Sequence, residues 1–85
     1  MRLFFTPRFL KMVSALPLDL QTEVYEKVEL FRDPANHAAL KVHKLRGVLK
    51  GCSSFSVTYK IRVIFELSKD GAILHIVGSH DIYDR

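Results

Sequence analysis

The apolar pattern changes period part-way along this chain, and that change limits the folds open to it. Leu20, Val24, Val28 and Phe31 recur at intervals of four, four and three, which draws one apolar stripe along a helix. Further on, Phe55, Val57 and Tyr59 alternate with Ser54, Ser56 and Thr58, and Ile61, Val63, Phe65 and Leu67 alternate with Arg62, Ile64 and Glu66. A period of two marks strands with two unlike faces. Helices followed by a run of strands predict an α+β domain in the order β-α-α-β-β-β, with two N-terminal helices packed on one face of a small antiparallel sheet. The other sheet face is left free for a ligand.

Local signals sharpen the boundaries. Arg2 to Phe5 suits an opening strand, and Thr6-Pro7 reads as a helix start, because threonine caps and proline is tolerated at the first helical position. That helix should run to about residue 15, where Leu16-Pro17 interrupts it. The second spans about 18 to 32, with Glu23, Glu26, Lys27 and Glu29 on a solvated face. Residues 33 to 37 form a loop that leaves His37 exposed and idle. Lys50-Gly51 is a turn before a strand, and Lys69-Asp70-Gly71 is a hairpin signal leading into a last strand from Ala72 to Val77.

The chain has 85 residues, enough for one core and hence one domain spanning 1–85. The lone Cys52 excludes an intramolecular disulfide framework, and the apolar start at Leu3 ends at Thr6-Pro7-Arg8, too short for a signal sequence. A reducing, cytoplasmic location is the expectation. No apolar run approaches the ~20 residues of a membrane span.

Charge is distributed unevenly. Between residues 41 and 62 stand Lys41, Lys44, Arg46, Lys50, Lys60 and Arg62 with no acid among them. Such a segment is either a solvated basic loop or a surface for a phosphate-bearing partner. Arg62 stands among apolar strand residues, so it either pairs with a carboxylate such as Glu66 or faces an open surface, where its planar fork suits phosphate.

Two histidines stand where acid–base chemistry could use them. His43 lies inside the basic stretch, and His80 follows Ile76-Val77-Gly78-Ser79 at the end of the last strand. RNA is cut without a metal when one group removes the 2′-hydroxyl proton, another protonates the departing 5′-oxygen, and cations stabilise the phosphorane between them. Imidazole titrates near neutrality and serves either duty. His75, mid-strand, reads as a satisfied structural residue. The histidines and Cys52 lack the close ligand pairs of a zinc site, and Gly47 and Gly51 match no nucleotide fingerprint, so neither metal nor cofactor is expected.

Taken together, His43-Lys44-Leu45-Arg46-Gly47 with Leu49-Lys50-Gly51, then Ser54-Phe55-Ser56-Val57, Ile61-Arg62-Val63-Ile64-Phe65, and finally Val77-Gly78-Ser79-His80-Asp81-Ile82-Tyr83 resemble the RelE/ParE toxin superfamily, closest to its RelE and YafQ-like branch. The resemblance covers nearly the whole chain. It implies a type II toxin with a cognate antitoxin as partner, and metal-independent cleavage of messenger RNA on the ribosome. It further implies that Arg62 contacts the scissile phosphate, His80 is the general acid and His43 the base. Tyr83 would stack on or orient the substrate, and Lys44, Arg46 and Lys50, with Lys41 and Lys60, would bind RNA backbone. Where RelE carries lysines before the arginine, this chain has Ser53 and Phe55; where YafQ-like proteins carry further polar groups, it has Ser56 and Lys60. The ParE branch shares the fold without being a nuclease, so the alternatives are inhibition of DNA gyrase or a catalytically inactive antitoxin-binding homologue.

Overall fold

The first helix forms where its cap places it. In the computed structural model, which describes residues 1–79, a short strand β1 (Leu3–Phe5) runs directly into α1 (Pro7–Ser14). Thr6 Oγ1 accepts from the Phe9 amide at 3.0 Å and donates to the Leu74 carbonyl at 3.0 Å, so one hydroxyl both caps the helix and ties it to the sheet. Leu16-Pro17 breaks the chain as its chemistry requires, and α2 (Leu18–Phe31) follows. Pro17 offers no cap; instead Gln21 Nε2 donates to the Leu16 carbonyl at 2.8 Å. Phe9 and Val13 of α1 and Val24, Val28 and Phe31 of α2 are the helical contribution to the core.

The strands are β2 (His43–Lys44), β3 (Ser53–Ser56), β4 (Ile61–Ser68) and β5 (Gly71–Ser79), in the spatial order β1-β5-β4-β3-β2. Phe55, Val63, Phe65, Ala72, Leu74 and Val77 face the helices. The α+β reading is confirmed, with two differences in the sheet. The sheet is mixed rather than wholly antiparallel, because β1 lies parallel to β5. The two-residue β2 has no period to read and was not expected. Gly71 makes the parallel pairing possible: its φ is +150°, and a Cβ there would collide with the Arg2 carbonyl, which accepts from the Ala72 amide at 3.0 Å.

Aromatic packing extends the core towards the loop after α2. Phe31 stacks on Phe55 at 4.4 Å, tilts against Phe65 at 4.6 Å and stacks on His37 at 4.7 Å between ring centroids. The expectation that His37 is exposed and idle is therefore corrected. It is half-buried, and its Nε2 lies 2.9 Å from the Phe31 carbonyl, to which it donates. A loop histidine gives no period from which such docking could be read.

Register sets the open face. Residues directly opposite share a face, and neighbours along a strand alternate. With Phe55, Val63 and Val77 turned inward, the opposite side carries His43, Ser54, Ile64 and Ile76 in one row and Ser56, Arg62 and Gly78 in the next; Ser54 and Ile64 are buried there, so the face is exposed at His43 and only partly accessible at Arg62. Between Ile64 and Phe65 the register shifts, because β5 holds one extra residue, His75, against β4. The bulge keeps Leu74 and Val77 on the core side and lets His75 meet Glu66 on the open side, Nε2 to Oε1, at 3.0 Å. His75 is thus satisfied structurally, as its mid-strand place suggested.

Candidate functional site

Arg62 is the residue whose surroundings most need explaining. Its two expected alternatives were a carboxylate partner or an open surface, and the structure decides between them. Glu66 is engaged by His75, and among the described residues no acid pairs with Arg62. Its Nε is buried with no hydrogen-bond partner, and so is the Oγ of Ser56, directly opposite on β3. Buried donors left unpaired are costly, and two side by side indicate a place where a polar partner belongs. Gly78, opposite Arg62 on the other flank, contributes no side chain to cover the guanidinium. A planar, permanently charged fork on such a surface is fitted to a phosphate or a carboxylate.

His43 shares this face. It stands one row away and two strands across, about 12 Å from Arg62 between Cα atoms by ordinary strand spacing. Its ring is oriented by the backbone: Nδ1 lies 2.9 Å from the Lys41 carbonyl. A carbonyl only accepts, so Nδ1 carries the proton and the neutral ring keeps its lone pair on Nε2. Lys41 supplies that carbonyl through a positive φ of +57°, a conformation rare for a side-chain-bearing residue. Ser54 Oγ lies 3.5 Å from Nε2. Ser54 is fully buried, so it can steady the imidazole but cannot meet a substrate as a nucleophile. The exposed His43 can.

These positions can be set beside known structures. No protein-family model matches the sequence, and no curated protein does. Solved structures match over almost the whole chain. YafQ from E. coli strain BL21(DE3) superposes with a TM-score of 0.79 at 16% identity, covering 95% of this chain and 94% of that one. The RelBE2 toxin–antitoxin complex of Mycobacterium tuberculosis matches with a TM-score of 0.68 at 18% identity, over 92% of this chain and 95% of the other. The YoeB–YefM complex of Staphylococcus aureus matches with 0.70 at 15%, over 94% and 97%. The chain has the RelE-like fold.

Within this RelE-like fold the basic residues divide between two places. Lys44, Arg46 and Lys50 line a cleft of about 670 Å³ with Cys52, Ser53 and Leu67, at the end of the sheet where the loop from β2 returns to β3. Lys44 pairs with Ser53, one position out of phase with His43, so it points away from the open face. Lys60 lies at the opposite end, exposed on the turn from β3 to β4, and Lys41 is exposed just before β2. Of the basic stretch only Arg62 lies on this face, and the lysines and Arg46 border it at both ends. Cys52 carries no reactive thiolate: burial, then the neighbouring Glu66 charge, push its thiol pKa above the ordinary cysteine value.

His80 and Tyr83 lie outside the described residues; β5 ends at Ser79, opposite Ile61 and one step past the Arg62 row. Ser56 enters the sequence reading only as the residue standing where YafQ-like proteins carry further polar groups, and the register against Arg62 is what singles it out. Among the described residues no cluster of three or more metal-ligating side chains occurs, and no helix is long and apolar enough to cross a membrane.

Proposed function

We propose that the open sheet face binds and cuts single-stranded RNA, and that the protein is the toxin of a type II toxin–antitoxin pair acting on messenger RNA at the ribosome. The observation that carries this reading is Arg62: a guanidinium with a buried, unpartnered Nε and no carboxylate among the described residues, on the same face as an oriented, exposed His43. The resemblance in sequence and the shared fold support the same reading. Two of the structures with this fold are toxin–antitoxin complexes, which supports an antitoxin as partner.

In the proposed reaction His43 Nε2 takes the proton of a ribose 2′-hydroxyl. The 2′-oxygen attacks the adjacent phosphorus, the bond from phosphorus to the 5′-oxygen breaks, and His80 donates the proton that the leaving oxygen needs. The products are a 2′,3′-cyclic phosphate and a free 5′-hydroxyl. Arg62 neutralises the charge that gathers on the phosphoryl oxygens. Tyr83 orients the substrate. Lys44, Arg46, Lys50, Lys41 and Lys60 hold backbone phosphates on either side.

Replacing His43 by glutamine tests the chemistry. The single-turnover rate on programmed ribosomes should fall about 10² to 10⁴-fold, the range for a lost general base, while ribosome binding is retained. A variant that cleaves at the parental rate would remove His43 from the mechanism.

A further inference from the structure

Tyr59 is 89% exposed, more than any other large apolar side chain described. Its alternation with Phe55 and Val57 suggested a strand position, but β3 ends at Ser56 and Tyr59 stands on the turn to β4. A lone aromatic at a surface is common and by itself means nothing. Three features of this one give it meaning.

The turn is pinned rather than loose. Thr58 Oγ1 accepts from the Lys60 amide at 3.2 Å and the Ile61 amide at 3.0 Å, and the Val57 and Thr58 amides both donate to the Ile61 carbonyl, at 2.8 and 3.2 Å. The ring is thus presented from a fixed backbone, which lowers the ordering cost of any contact it makes. Its neighbours along the chain are cationic: Lys60 is adjacent and exposed, and no acid occurs between residues 41 and 62. It also stands at the Arg62 end of the sheet, three residues from Arg62 and so at most about 11 Å away along the chain.

An exposed aromatic ring beside a cation, next to an unpaired guanidinium, is the arrangement by which proteins hold unstacked bases of single-stranded nucleic acid. We infer that Tyr59 stacks on the base of a nucleotide neighbouring the phosphate held by Arg62, with Lys60 on that nucleotide's backbone. The inference rests on the RNA reading of the open face and adds to it a base subsite outside the reacting atoms. Stacking is tolerant of base identity, so Tyr59 fixes where the strand lies more than which sequence it carries.

The test compares Tyr59→Ala, Tyr59→Phe and Tyr59→Trp with Arg62→Ala in single-turnover cleavage on ribosomes programmed with a short messenger. Tyr59→Ala should raise the toxin concentration giving half-maximal rate by about 5- to 100-fold, with the maximal rate little changed, whereas the aromatic variants keep the parental value. The chain has no tryptophan, so Tyr59→Trp is also a unique emitter; a short single-stranded RNA with 2′-O-methyl riboses should quench it and a duplex of the same length should not. Cleavage by Tyr59→Ala indistinguishable from the parent overturns the inference, as does lost antitoxin binding with cleavage unaltered. If Arg62→Ala also cleaves at the parental rate, or the parent does not cleave, the RNA reading of the face has failed, and the base subsite with it.

Discussion

Replacing Arg62 by alanine is expected to abolish growth arrest on induction and to slow cleavage on the ribosome by about 10² to 10³-fold, the cost of removing one preorganised donor to transition-state charge. The fold should be untouched. Arg62 makes no ion pair among the described residues, and its buried Nε has no partner to lose, so the variant should melt at or above the parental temperature. Loss of activity with stability kept is the signature that separates a binding arginine from a structural one. Arg62→Lys should restore little, because an ammonium is a point charge without the flat two-donor edge. Measuring both variants by growth on induction, single-turnover cleavage and thermal melting checks the three expectations together. An inactive variant that also melts well below the parent would make Arg62 a structural residue.

Phe31→Ala should have the largest effect on stability. The ring is fully buried and touches Phe55, Phe65 and His37, joining α2 to β3, to β4 and to the loop after α2. Emptying such a site costs about 3–5 kcal/mol, against roughly 5–15 kcal/mol for the whole stability of a typical domain. For a chain of this length the midpoint of thermal unfolding should fall by at least about 12 °C. A fall of less than about 3 °C would mean that the aromatic cluster is not the centre of the core. The damage should also reach the site. His37 stacks on Phe31, and its carbonyl accepts from the Val42 amide at 3.1 Å, the residue before His43. Loosening Phe31 therefore releases the segment whose Lys41 carbonyl orients the His43 ring.

Much of this architecture is legible from local chemistry. Thr6-Pro7 and Leu16-Pro17 carry their capping and breaking roles wherever they stand, and the stripe through Val24, Val28 and Phe31 is the face that α2 buries. Strand direction is different, because the parallel pairing of β1 with β5 joins residues about 70 apart and depends on Gly71 admitting the Arg2 carbonyl. Nothing near Leu3 encodes it. The two residues of β2 are too few to show alternation, although they deliver His43 to the open face. Arg62 is visible in sequence because a cation in an apolar strand demands an explanation. Ser56 is not, since its significance comes from the residue across from it. The separation of Lys44 from His43 onto opposite sides follows from strand pleat alone, yet it becomes apparent only once β2 is known to be a strand.

The central claim, that this face cuts messenger RNA on the ribosome, is tested most directly by mapping transcript 5′ ends after brief induction of the parent and of Arg62→Ala. New ends at a fixed position within the codons of translated reading frames, carrying 5′-hydroxyls and absent with Arg62→Ala, are the expected result. Growth arrest with no new transcript ends, accompanied by inhibited DNA supercoiling, would contradict the account and assign the fold to the gyrase-directed alternative.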